Sequence, residues 1–525
     1  MKLETFLHQL HFDTDKVFPP DWKVDWEDAP LPYKLYRDLP EITLSAEVPF
    51  TLKKIESDQN PSLKELGHFL WYVYGITQYS QSPVMDETDG KTVSFTQSLR
   101  RFVPSGGALY PNELYVYIKL DDAPHGIYHY DVAHHRLILL REGNYDYYLS
   151  RSLANSLPIS DCFCTVFVST IFWKNFYKYN HFSYRLQGLD AGVLIGQSLE
   201  VANMMGFSTR VCYQFLDRAV NHLLGLSEKE ESVYAVIPLS RKPSIPCVDS
   251  EKRDEAVFAS ELRQEVPELS HVSYNRSKRV IDYPLLRKLN EESMFETTTS
   301  FTKLTKNHAE TSLGTELVFL PTTDCFSYDL AAVCRKRYSP DIDFTLGKVS
   351  LTQLSTLLKE TFSFLYENDL DDTQGDIETR VTLYGCFYHV EGIPNGAYSY
   401  DHNTHVLKRI AKGDYRELLQ SGLTMPNVNL YQVPLCMHVV GDKDHLKGKL
   451  EYRGYRIQQM EAGILVQRML LVSTALGMGG HPLLGFDANQ CDELYRINLK
   501  DKTSLIQIPV GPYRPRTWLR GSLQS

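Results

Sequence analysis

Cysteine is scarce in this chain and follows no framework. There are nine in 525 residues (Cys162, Cys164, Cys212, Cys247, Cys325, Cys334, Cys386, Cys436 and Cys491), and only the first two stand close together. An odd, scattered set excludes a disulfide-stapled scaffold and suits a reducing, cytoplasmic setting. Cys162-Phe-Cys164 on a strand would put both thiols on one face. With no second Cys or His pair nearby, we expect two small apolar strand residues there and no metal. No apolar run approaches the roughly 18 residues that cross a bilayer, so no membrane span is expected. The opening Met1-Lys-Leu-Glu-Thr-Phe-Leu-His8 has no apolar stretch and no small-residue cleavage site, so no secretory signal is expected either. Positive charge is not in excess. Lys and Arg number 55 against 65 Asp and Glu, a net charge of −10, which argues against general nucleic-acid binding. Tryptophan is sparse, at 5, whereas tyrosine reaches 33. Such rings serve interfaces or ring-stacking pockets. The length alone suggests about three domains of ~150 residues.

What is present is an internal repeat. Gly126-Ile-Tyr-His-Tyr-Asp131 returns as Gly396-Ala-Tyr-Ser-Tyr-Asp401. Tyr184-Arg185, Asp190-Ala-Gly192 and Gly206 return as Tyr455-Arg456, Glu461-Ala-Gly463 and Gly477. Val233-Tyr-Ala-Val-Ile-Pro-Leu239 returns as Leu505-Ile-Gln-Ile-Pro-Val510. The offset stays at 270 or 271 positions, far beyond the period of a solenoid. One domain has been written twice. A weaker echo of Glu41-Ile-Thr-Leu44 at Glu316-Leu-Val-Phe-Leu-Pro321 places the second start near 316. The expected organisation is an N-terminal arm at 1–40, a first copy at 41–245, a linker at 246–315 and a second copy at 316–525. The arm, rich in Pro, Trp and Tyr, reads as extended. The linker, with mixed charges and a Thr/Ser cluster at 297–300, reads as irregular with one short helix at 282–293.

Within the first copy, Leu63, Leu66, Phe69, Leu70, Val73 and Tyr74 form a helical stripe. Leu114–Leu120 and Cys164–Ser169 read as strands, and Gly126–Asp131 with Arg136–Leu140 as a hairpin. Leu189–Met205 is apolar on nearly every face, which marks a central buried helix, with Gly206 as its left-handed cap. Val233–Leu239 closes the domain. The sum is an α+β fold, a mainly antiparallel sheet against long helices.

Chemistry concentrates in Arg100-Arg-Phe-Val-Pro-Ser-Gly-Gly-Ala-Leu-Tyr-Pro-Asn-Glu113. Two adjacent guanidinium groups offer forked donors for a phosphate. Ser105 adds a hydroxyl, and Gly106-Gly107 lets backbone approach a flat ligand. The residues alone point to an anionic ligand beside a glycine loop, or to a tight turn flanked by solvated arginines.

This segment, followed by Gly-Ile-Tyr-His-Tyr-Asp and Asp-Ala-Gly-x-x-x-Gly-Gln, strongly resembles the SagB-type azoline dehydrogenases. These are FMN-dependent enzymes of the nitroreductase superfamily that act in ribosomal peptide natural-product biosynthesis. The tandem form also resembles the cyanobactin oxidases. The likeness covers about residues 40–240 well and 316–525 weakly. It implies a nitroreductase-like fold in which two copies, the second degenerate, form a pseudo-dimer. The activity implied is oxidation of thiazolines or oxazolines to thiazoles or oxazoles, with oxygen as electron acceptor. By resemblance, Arg100, Arg101 and Ser105 contact the FMN phosphate and ribityl chain. Gly106 and Gly107 lie beside the flavin, and Tyr213-Gln214 lies over its edge. Lys178-Tyr179 stands where the family has its catalytic pair. An azoline must lose a proton from the former Cα and a hydride from the former Cβ. The flavin takes the hydride, and a lysine tuned towards neutrality can take the proton. Tyr179 would relay it or orient the ring. From the residues alone, Lys178 is one surface lysine among several. The partners implied are an azoline-containing precursor peptide and a cyclodehydratase complex that delivers it. Whole chains could pair again as a homodimer.

The second copy lacks these features. Asp371-Asp-Thr-Gln-Gly-Asp-Ile-Glu-Thr-Arg380 replaces the basic loop and would repel a phosphate. Lys449-Leu-Glu-Tyr-Arg453 replaces Lys-Tyr. Arg335-Lys-Arg337 reads as a solvated basic face rather than a phosphate remnant, and His481-Pro482 as a plain loop. Two other functions compete with the dehydrogenase: an NAD(P)H-dependent nitro or flavin reductase on the same fold, and a flavin-less scaffold in a peptide-modifying complex. Lys178-Tyr179 with Pro-Ser-Gly-Gly favours the peptide enzyme over the reductase. A colourless purified protein would favour the scaffold.

Overall fold

The computed structural model describes residues 1–52, 61–85, 93–242, 256–304, 316–324, 326–363, 366–371, 379–515 and 519–522. Cys247, Cys325, most of the acidic stretch at 371–380 and parts of the 246–315 segment lie outside them. Two seven-stranded sheets share one order. The first runs Glu41–Thr43, Arg136–Glu142, Gly126–Asp131, Asn112–Ile118, Cys164–Ile171, Glu231–Ser240, Ser208–Thr209. The second runs Glu316–Phe319, Val406–Lys412, Gly396–Asp401, Thr382–Phe387, Leu435–Asp442, Lys502–Gly511, Gly479–Gly480. Neighbours are antiparallel throughout. The α+β class and the duplication are both as expected.

The copies match in detail. Each repeated hairpin carries a bulge at the same step, Ile127/Tyr128 and Ala397/Tyr398. Each turn is pinned by a tyrosine hydroxyl on a histidine Nδ1, Tyr130 to His135 and Tyr400 to His405, both at 2.8 Å. The helices Leu63–Tyr74 and Leu351–Phe362 each start in a capping box, Ser62 with Glu65 and Ser350 with Gln353. Each box satisfies two orphan N–H groups.

The two central helices, Ser183–Met205 and Lys447–Ala475, are buried along almost their whole length and pack on one another. Small residues set the closeness. A Cβ at Gly192 would lie 2.1 Å from the Met460 carbonyl oxygen, and one at Gly463 would lie 2.4 Å from that of Leu189. Gly188 and Gly196 extend the stripe. Residues related by the repeat offset meet each other along this seam. Tyr184 stacks on Tyr455 with centroids 5.8 Å apart, and Gln467 Nε2 donates to Gln197 Oε1 at 2.7 Å. These contacts mark an internal pseudo-two-fold axis. Around it, buried charges cross between copies. Arg453 and Arg456 both reach the Asp217 carboxylate, at 2.6 and 3.1 Å, and Arg185 donates to the Leu505 carbonyl at 2.6 Å.

Three segments depart from expectation. The arm opens with a helix, Leu3–Phe12, whose Leu3, Phe6, Leu7 and Leu10 are buried. It docks on the second copy through His11 Nε2 and Thr503 Oγ1, 2.8 Å apart. The linker is a strap on the first copy. Besides the expected helix, here Pro284–Glu291, it has Ala259–Glu265, and Val257, Ala259 and Leu262 join the first copy's core. Finally, Ile76–Met85 and Val93–Arg101 pair as a long hairpin that Leu519–Ser522 joins as a third strand.

Gly192→Ala should destabilise the protein by about 1–3 kcal/mol, the usual penalty of overpacking. Its thermal melting temperature should fall. An unchanged melt would contradict the backbone contact.

Candidate active site

The glycine loop is drawn into shape by a buried carboxylate. Ser105 Oγ donates to Asp190 Oδ2 at 2.6 Å, and the Gly106 N–H donates to Asp190 Oδ1 at 3.2 Å. Ser105 Oγ also accepts from the Tyr110 N–H at 2.9 Å. The Ser105 hydroxyl is thus held between Asp190 and the Tyr110 N–H. Burial pushes the Asp190 carboxyl up to about 7, against the pull of these two donors. Gly107 takes φ +64°, in the left-handed region. A Cβ there would lie 2.5 Å from Tyr179 Oη and 2.8 Å from Lys178 Nζ. Glycine therefore leaves the space into which both side chains point.

Lys178 and Tyr179 end the helix Trp173–Tyr179, which stops where Asn180 adopts φ 47° and ψ −140°. The ammonium of Lys178 lies 5.4 Å from the Trp26 ring centre and 5.0 Å from that of Tyr179. Desolvation holds the Lys178 amine below the usual lysine range. Burial, and after it the Asp190 charge, pushes the Tyr179 phenol up. Trp26 is 59% exposed and reaches the site from the N-terminal arm.

Beside the loop lies a basic cavity of about 230 Å³, lined by Arg100, Arg101, Arg335, Lys336, Arg337 and Tyr338. No acidic side chain lines it among the described residues. Arg101 is 2% exposed. Its guanidinium sits 3.8 Å from the Tyr74 ring centre and 4.7 Å from that of Tyr110. Its Nη2 donates to the Pro32 carbonyl at 2.5 Å, while Nε and Nη1 have no hydrogen-bond partner among the described residues. Arg100 lies over Tyr338, 5.2 Å from the ring centre. Arg337 is buried and donates from Nε to the Phe102 carbonyl at 2.7 Å. Burial, then the nearby Arg100, lowers its guanidinium to about 10. Within the basic triplet of the second copy, Arg335 and Lys336 are exposed as expected, whereas Arg337 is buried. The triplet completes a pocket begun by the first copy, through a long-range contact that local charge pattern does not reveal.

Tyr213 and Gln214 are buried elsewhere. Their N–H groups donate to the Asp369 carboxylate at 2.9 and 2.8 Å, and Tyr213 Oη meets Tyr366 Oη at 2.9 Å. This segment of the first copy faces the second copy's counterpart site. That counterpart keeps a cavity of about 50 Å³ lined by ion-paired residues. Arg380 pairs with Asp371 at 2.5 Å and with Glu461, which occupies the repeat position of Asp190. The kink at Asn180 recurs at Glu451, with φ 49° and ψ −139°. The register it sets puts Lys449 opposite Lys178 and Leu450 opposite Tyr179. The second copy keeps a lysine, exposed, and loses the tyrosine. His481 Nδ1 donates to the Pro340 carbonyl at 2.6 Å. Cys162 and Cys164 are buried.

Residues 58–239 and 387–512 match the model of the nitroreductase family. The trifolitoxin-processing protein TfxB of Rhizobium leguminosarum bv. trifolii is 28% identical over 151 residues. That match spans 28% of this chain and 40% of TfxB. MJ1384 of Methanocaldococcus jannaschii, provisionally named a nitroreductase, is 22% identical over 182 residues, 34% of this chain and 81% of that protein. A crystal structure from Anabaena variabilis, likewise provisionally named a nitroreductase, superposes with a TM-score of 0.73 at 20% identity. It covers 98% of this chain and 99% of its own, so the tandem fold is shared from end to end. No described helix is long and apolar enough to cross a membrane.

The desolvated Lys178 amine should be acylated at lower pH than exposed lysines, because more of it is neutral at a given pH. Peptide mapping after labelling across pH 7–10 checks this. A midpoint equal to that of the exposed lysines would contradict it.

Proposed function

Because the chain belongs to the nitroreductase family, whose members generally bind flavin as FMN, we propose that it is an FMN-dependent azoline dehydrogenase. It would oxidise thiazolines or oxazolines in a peptide to the corresponding azoles. The observation that carries this reading is the convergence of Lys178 Nζ and Tyr179 Oη on Gly107, beside a cavity rich in guanidinium groups. The residues fit the cofactor. Arg101 has two N–H-bearing nitrogens without partners among the described residues, Gly107 leaves a cradle that a Cβ would fill, and the cavity carries five cationic side chains. Arg100, Arg101, Arg335, Lys336 and Arg337 would hold the phosphate, and Gly106-Gly107 would border the ring. Bound flavin would supply the hydride acceptor.

The protein's own residues carry the proton chemistry. Lys178, with its amine lowered by burial, takes the proton from the azoline Cα. Tyr179, kept protonated by burial and by Asp190, donates a hydrogen bond that orients the ring. Trp26 offers an apolar wall beside the amine. A precursor peptide, delivered by a cyclodehydratase complex, would be the substrate. The TfxB likeness supports a processing role of this kind.

Incubation with a thiazoline-containing peptide should give a product lighter by two hydrogens, read by mass spectrometry. Lys178→Ala should keep FMN and lose about 10²-fold or more in rate, the usual worth of a general base. Full activity in that variant would overturn its role. Arg101→Ala and Arg337→Ala should each weaken FMN binding by about 1.5–3 kcal/mol, the range for a charged hydrogen bond. Variants that purify fully yellow would contradict the phosphate assignment.

A further inference from the structure

We propose that Asp190 is a positioning residue. It clamps the Ser105–Gly107 loop into the shape that leaves Gly107 open to Lys178 and Tyr179. In its flavin consequence this rests on the reading given under Proposed function. The clamp itself rests on geometry. One carboxylate accepts from a side-chain hydroxyl and a backbone N–H on consecutive residues, at 2.6 and 3.2 Å. Ser105 in turn accepts from the Tyr110 N–H, which ties both ends of a loop containing three left-handed residues, Gly107, Ala108 and Tyr110. Left-handed backbone is costly for Ala and Tyr, so the conformation needs outside support. Asp190 stands on the most rigid element of the molecule, the central helix, two residues before the Gly192 contact.

The second copy differs at this position. At the same repeat position, Glu461 is met by Arg380 among the described residues. Asp190 has no such cation among the described residues. The groups acting on it are the Ser105 hydroxyl and Gly106 N–H from the loop, Tyr179 from the preceding helix and Tyr74 from the helix Leu63–Tyr74. None of these is a cation, so the carboxyl group is left to the two loop donors.

The test uses the full chain and amide hydrogen exchange of the peptide spanning the loop. Asp190→Ala should speed exchange at Gly106–Tyr110 by about tenfold, as expected for loss of a charge-assisted bond. Asp190→Asn, which keeps the shape and can still accept from Gly106, should lie between the two. The ratio of wild-type to Asp190→Asn exchange should vary with pH around neutrality, because only the carboxylate titrates. A residue that merely filled space would leave that ratio flat. A parallel titration with FMN should show weaker binding in Asp190→Ala. Unchanged loop exchange in Asp190→Ala, or a flat pH ratio, overturns the proposal. Should the alanine variant fail to fold, the asparagine variant decides by the same two readouts. Faster loop exchange in a protein whose wild type binds no FMN would support the clamp and refute the flavin reading.

Discussion

Everything in this molecule depends on two backbones touching at Gly192 and Gly463. Neither position has room for a single methyl group. Helices that close exclude side chains from the seam and force each copy's flanking elements past the axis into the other copy. The buried arginines follow from this. Arg453 and Arg456 leave the second copy's helix and end on Asp217 of the first. Buried ion pairs seldom add net stability, but a partner lost from one leaves an uncompensated charge. They therefore penalise any slip of the seam. The same crossing carries Arg335–Arg337 against Arg100 and Arg101, so the basic cavity exists only when both copies are present.

The duplication has been resolved asymmetrically. The two halves keep the same strand order, hairpin bulges, turn pins and pre-helix kink. They differ where ligand chemistry would occur. The first copy sets a free carboxylate against a glycine loop. The second sets a carboxylate against Arg380, which also pairs with Asp371. The first copy's Tyr213–Gln214 segment, which would border a ligand in a symmetric pair, is instead bound to Asp369. One half has become a wall and a donor of cations to the other.

Much of this was legible in the residues. The constant offset revealed the duplication, and the apolar run at Leu189–Met205 revealed the central helix, because periodicity and repetition are local signals. The loop Arg100–Gly107 and the pair Lys178–Tyr179 were legible through resemblance, and the structure brings them together. Three things were hidden. The burial of Arg337 comes from contacts with Phe102 and Arg100, more than 200 positions away, while its neighbours Arg335 and Lys336 stay exposed. The contact of Tyr213–Gln214 with Asp369 of the second copy is a tertiary fact that the residues do not show. The bond from Ser105 to Asp190 spans 85 positions, which no local pattern reveals. The arm helix Leu3–Phe12 was overlooked although its apolar spacing is helical, since Pro, Trp and Tyr dominate the rest of the arm.

The short strand Leu519–Ser522 pairs with Ile76–Met85, in the hairpin that leads into Arg100 and Arg101. This sets a timetable for synthesis. A ribosome releases the first copy's sheet long before the residues at 519–522 are made, and domains generally fold as they emerge. The hairpin must therefore wait with an unpaired edge, which is a template for unwanted association. The basic cavity must likewise wait for residues 335–337. The candidate site of the first half is thus complete only after residues of the second copy have been made. A polypeptide that stopped early would expose an edge and lack the complete site.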